Sequence, residues 1–109
     1  MTDKLTGVER IAAERRRQIE VEGWSPDHDS RHQSGELARA AATYAIQAAG
    51  RTGRFEVGNQ WWTTLWPWNA GWWRPTPNDP IRELEKAGAL IAAEIDRLLA
   101  TKQFPEVQG

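Results

Sequence analysis

Six tryptophans crowd into thirteen residues, at positions 61, 62, 66, 68, 72 and 73. Each indole offers a wide flat face, and its N–H needs an acceptor when buried. Trp66-Pro67-Trp68 and Trp72-Trp73-Arg74 set such faces beside a cation. Indole and guanidinium planes both stack on heterocyclic bases, and Arg also pairs with phosphate. Lys86 lies one turn into the last expected helix, whose N-terminus favours anions. A flat ring joined to an anion, as in a nucleotide, matches that chemistry. The expected ligand-binding set is Trp24, Trp66, Trp68, Trp73, Arg74, Tyr44, Lys86 and Gln18. The competing reading is that these rings complete a core short of Leu and Ile. It is strong for two or three of them and strained for all six.

Two weaker constellations stand beside this one. His28 and His32 have the i, i+4 spacing that places two imidazoles on one metal; Asp29 sits between them and Glu36 extends the row. The competing reading is capping, with Asp29 or Ser30 starting the next helix, and no metal cofactor is expected. Glu14, Gln18, Glu22, Glu36 and Glu94 would meet inside a helical bundle if this were a MazG-like nucleotide pyrophosphatase, in which carboxylates hold magnesium beside a triphosphate. Such enzymes carry paired E-x-x-E and E-x-x-D patterns. Here Glu83 with Lys86 and Glu94 with Arg97 are acid–base pairs instead, and surface pairing is the commoner fate of such spacings. No catalytic residue is assigned.

The elements that must position these groups read as helices. Thr6 with Glu9 has capping-box spacing, so a first helix is expected from Gly7 to Glu22, stopped by Gly23. Val8, Ile11, Ala12, Ile19 and Glu22 share one of its faces, with Arg15 and Gln18 beside or within the stripe. Ser25-Pro26-Asp27 suits a short helical turn. Ser30 with Gln33 is a second capping match, and a helix is expected over 31–49 with Leu37, Ala38, Ala41, Tyr44, Ala45 and Ala48 on one side. Residues 51–78, punctuated by Gly and Pro, read as a long insertion; a short helix or a hairpin can form around 59–65. Asp79-Pro80 starts the last helix. Ile81, Leu84, Gly88, Ile91, Ile95 and Leu98 then follow at alternating steps as an apolar seam to about Lys102, with a tail from Phe104. The expected fold is all-α: a single helical domain over 1–109, three helices with a long Trp-rich insertion between the second and third.

Composition narrows the partners. A net charge of −1 gives no basic face for DNA or RNA. There is no cysteine, hence no thiolate or disulfide chemistry. No apolar run approaches a membrane span and no signal-peptide pattern opens the chain, so a cytoplasmic protein is expected. Leu, Ile, Val and Phe total 19 residues, a thin supply that favours a homo-oligomer. The seam and the adjacent stripe of Ala87 and Leu90 also exceed what one partner helix covers.

Three blocks resemble a family of small phage and prophage proteins. The first is Glu9-Arg10, Glu14, Gln18 and Glu22-Gly23-Trp24-Ser25-Pro26-Asp27-His28-Asp29 with His32. The second is Gly35-Glu36-Leu37-Ala38, Ala40-Ala41 and Tyr44-Ala45. The third is Leu65-Trp66-Pro67-Trp68, Trp73-Arg74-Pro75, Leu84, Lys86-Ala87-Gly88-Ala89-Leu90-Ile91 and Ala93-Glu94-Ile95-Asp96-Arg97-Leu98. The resemblance implies a phage origin, with the host cytoplasm as location, and a compact helical unit; it implies no reaction. Three functions follow as expectations. The first is a non-enzymatic binder that sequesters a nucleotide-like small molecule, such as a host defence signal. The second is the metal-dependent pyrophosphatase. The third is an interaction module docking through its tryptophans, since Trp and Arg are common hot-spot residues.

Overall fold

A computed structural model describes residues 4–52 and 61–101. Residues 53–60 of the expected insertion and the expected tail from Phe104 lie outside the described residues. The described chain is helical, without strands: α1 (Gly7–Glu20), α2 (Pro26–Asp29), α3 (Glu36–Thr52), α4 (Trp62–Leu65), a 3-10 turn (Ala70–Trp72) and α5 (Pro80–Thr101). The alternative of a hairpin near 59–65 thus gives way to the single turn of α4 over its described part.

Local signals set the helix starts. The Thr6 hydroxyl accepts from Glu9 N–H while the Glu9 carboxylate accepts from Thr6 N–H, a complete capping box. Ser25 caps α2, with Pro26 at its first position. The Asp79 carboxylate accepts from Arg82 N–H at the start of α5. The second capping match fails. The Ser30 hydroxyl donates to the Asp27 carbonyl, and the Gln33 amide donates to the Ser30 carbonyl. Both serve the end of α2, so α3 starts at Glu36, five residues later than expected. Gly35, with φ of +81°, makes the preceding turn. The helix also continues past Gly50 to Thr52, and α1 ends at Glu20 instead of Glu22.

α5 is the hub. It packs against α1, α2 and α3. The core joins Leu37, Ala40, Ala41 and Tyr44 of α3 to Ala87, Leu90 and Ala93 of α5, and Trp66 closes it. Small side chains on both helices let the backbones come close, while the large rings lie across one end. α1 meets α5 where Ile11 presses on Gly88; a Cβ at Gly88 would stand 2.5 Å from Ile11 Cδ1. Gly88 is there because no side chain fits beneath Ile11.

Two expected faces are rotated. α1 turns Glu14, Arg15 and Gln18 inward, while Val8 is 77% exposed. On α5 the buried side is Glu83, Ala87, Ala89, Leu90, Ala93 and Arg97. Of the expected seam, Ile81 (58%), Leu84, Ile91 and Ile95 are exposed, Gly88 lies under Ile11 and Leu98 is half-buried; Leu99, outside that seam, extends the exposed line. On α3, Ala38 is exposed and Ala40 takes the inner place.

Candidate functional site

Polar side chains from distant segments bind one another beneath the tryptophans. Glu14 of α1 is the centre. Its carboxylate accepts from Arg17 Nε at 2.9 Å and Nη2 at 3.0 Å, from Arg82 Nη1 at 2.7 Å and from Gln18 Nε2 at 3.1 Å. Burial pushes the Glu14 carboxyl up, but the hydrogen bonds and charges of Arg17 and Arg82 outweigh it and hold its pKa below the ordinary value. Arg15, also inward, donates to Asp29 Oδ2 at 3.0 Å and to the Trp24 carbonyl at 3.2 Å. That pair ties α2 to α1. A buried charge persists only when its partner and hydrogen bonds replace lost water, which explains why the polar face of α1 turns inward.

Above this network the rings form two groups. Trp66 is 7% exposed; its ring meets Tyr44, Trp68 and Trp73, and its N–H donates to the Asn69 carbonyl at 3.1 Å. Trp73 stacks on Trp62 with centroids 5.6 Å apart and leans on Tyr44 at 4.9 Å. These rings are packing. Trp68 is different. It is half-buried against His32, with ring centroids 5.1 Å apart, and its buried N–H meets no acceptor among the described residues. Trp72 is 55% exposed.

Trp24, Trp66, Trp68 and Trp72, with His28, His32 and Leu37, wall a cavity of about 380 Å³. That size lies in the range of small-molecule pockets. A smaller, polar groove of about 60 Å³ adjoins it and shares Trp24 and Trp72 as walls. Gln18, Tyr44, Arg74 and Lys86 line the groove, along with Glu14 and Arg17. The Arg74 guanidinium lies 5.6 Å from the centre of the Trp72 ring. The Lys86 ammonium lies 5.4 Å from the centre of the Tyr44 ring and donates to the Arg74 carbonyl at 2.8 Å. Burial, followed by the nearby Arg82 charge, lowers the Lys86 pKa. Burial likewise raises that of the Tyr44 phenol, whose oxygen accepts from Arg74 N–H. Among the described residues neither Arg74 nor Lys86 forms an ion pair with a carboxylate, whereas Arg17 is held by Glu14 and Glu22.

Seven of the eight expected ligand residues line these two spaces. Trp66 and Trp68 stand in the cavity, Gln18, Tyr44, Arg74 and Lys86 in the groove, and Trp24 in both. Trp73 lines neither and belongs to the packed group. Trp72 was missing from the expected set. It shares the Trp-Trp-Arg unit with Trp73, and spacing alone does not tell which of two adjacent indoles faces the opening.

Members of the other constellations have other partners among the described residues. His28 and His32 do approach, with ring centroids 5.2 Å apart, but they meet edge to face. Asp29 is committed to Arg15, and the Glu36 carboxylate accepts from Ser34 N–H at 2.7 Å. Glu94 is occupied by Arg97. Among the described residues no group of three or more His, Asp or Glu side chains is placed to hold a metal. None of their helices is long and apolar enough to cross a membrane. No family model, curated protein or solved structure matches this chain, so its own side chains carry the functional reading.

Proposed function

We propose that this chain is a non-enzymatic binder that takes up a nucleotide-like small molecule. The carrying observation is the junction itself. An aromatic cavity of about 380 Å³ opens beside a groove, lined also by Glu14 and Glu22, in which Arg74 and Lys86 form no ion pair with a carboxylate among the described residues. A flat base fits the first, stacked among Trp24, Trp68 and Trp72. A phosphate fits the second, between Arg74 and Lys86. The carboxylates that a pyrophosphatase would need for magnesium are bound to arginines or to backbone instead. The resemblance to small phage proteins supplies a setting, sequestration of a host nucleotide signal.

Calorimetry against mono-, di- and cyclic nucleotides and ADP-ribose tests this. At least one is expected to bind and quench tryptophan fluorescence. Trp68→Ala is expected to remove about 1–3 kcal/mol of binding, the scale of base–aromatic stacking. Arg74→Ala should weaken the same ligand and flatten its salt dependence. Binding by none of them would overturn the nucleotide reading and leave the exposed Trp72 as a protein-docking residue.

Two copies of the chain are proposed to pair through the outward seam of α5. Ile81, Leu84, Ile91, Ile95 and Leu99 line a helix about 33 Å long, from its 22 residues at 1.5 Å each. A two-fold axis lays the same stripe against itself, so a second copy is the partner the chain always supplies. Light scattering at micromolar concentration should show a dimer, and Ile91→Glu with Ile95→Glu should make it monomeric. A wild-type monomer under those conditions would sink the idea.

A further inference from the structure

Gln18 is 1% exposed. Its amide orientation is decided by a neighbour. Glu14 Oε2, a carboxylate oxygen held ionised by Arg17 and Arg82, can only accept, so the Gln18 NH2 must face it. The carbonyl end is thereby fixed on the other side. Gln18 Oε1 is buried and meets no donor among the described residues. An unpartnered buried acceptor is costly and is uncommon in a folded protein. Gln18 is one of the residues that line the groove, together with Arg74 and Lys86.

From this we infer that Gln18 is a specificity-determining residue, whose Oε1 accepts a hydrogen bond from a sugar hydroxyl of the bound molecule. The inference rests on the nucleotide reading and adds the sugar to it. A phosphate oxygen cannot donate to Oε1 and would be repelled by it, so Gln18 does not serve the anion. The base occupies the aromatic cavity. The part linking base to phosphate must pass the shared walls Trp24 and Trp72, and in a ribonucleotide that part carries hydroxyl donors. A deoxyribose lacks one of them. The groove therefore selects ribose, because Glu14 prevents the Gln18 amide from turning over to present its NH2 group.

The test compares AMP and ADP with their 2′-deoxy and 3′-deoxy forms by calorimetry, on the full chain. Wild-type protein should bind the ribonucleotide about tenfold more tightly than one of the two deoxy forms, the usual worth of one hydrogen bond. Gln18→Met, close in size and without an acceptor, should bind ribo and deoxy forms alike. Its melting curve, read by circular dichroism, checks folding; the wild-type comparison stands without it. Equal binding of all three sugars by the wild type overturns the role of Gln18 and leaves the nucleotide reading intact. Absence of binding by every form overturns both. A tenfold preference that survives Gln18→Met shows that another group reads the hydroxyl.

Discussion

Trp66→Ala is expected to cost about 3–5 kcal/mol of stability, the scale of a core aromatic truncated to Ala. A domain of this size typically has about 5–15 kcal/mol in total, so much of the fold's margin would go. The indole touches Tyr44, Trp68 and Trp73 at once, and it is the ring that closes the α3–α5 core. Its removal also takes one of two donors from the Asn69 carbonyl, which keeps the Trp72 N–H. Trp72→Ala is the control. That ring is mostly solvent-exposed, so its loss should leave the urea midpoint close to wild type while weakening ligand. If Trp66→Ala shifts the midpoint no more than Trp72→Ala does, the division between packed and ligand-facing rings is wrong.

Asp29→Ala should be comparably severe. It strands the buried Arg15 guanidinium, and removing one partner of a buried ion pair typically costs about 3–5 kcal/mol. Among the described residues, Arg15 then keeps only its bond to the Trp24 carbonyl. The loss also frees α2, which brings His28 to the cavity wall. Replacing both partners with apolar groups, Arg15→Met with Asp29→Leu, is expected to recover much of the stability, because no uncompensated charge then remains. A double-mutant cycle by denaturant unfolding measures the coupling. Strictly additive losses would mean that the pair contributes nothing as a pair.

The helix starts at Gly7, Pro26 and Pro80 are legible in the sequence because their causes lie within four residues. Thr6 and Glu9, Ser25 and Pro26, and Asp79 and Pro80 fix them locally. The inward face of α1 is not legible, because its causes are distant. Glu14 is buried on account of Arg82, and Arg15 on account of Asp29. Neither pairing leaves a periodic trace, so Val8 and Ile11 looked like the better stripe. The α5 seam shows a related limit. Its spacing states that an apolar line exists without stating what lies against it. The core takes the adjacent stripe, where Ala87, Leu90 and Ala93 meet α3. The lining of the cavity and groove is largely legible by type, since rings beside cations stand out in the sequence. The sorting of Trp72 from Trp73 was not, because it depends on how the 3-10 turn aims two neighbouring side chains.

The hub position of α5 has a consequence for how the chain is made. α1, α2 and α3 all pack on the helix that is synthesised after them, while α1 and α3 barely touch each other. Until residues 80–101 leave the ribosome, the earlier segments have only each other, through Arg15 with Asp29 and Tyr44 with Trp66 and Trp73, and lack the helix that joins them. Nascent chains stalled before Pro80 would leave Leu37, Ala40 and Ala41 without Ala87, Leu90 and Ala93, and those are the intermediates a chaperone would meet. The joining of the three earlier helices therefore waits for the helix that is made after them.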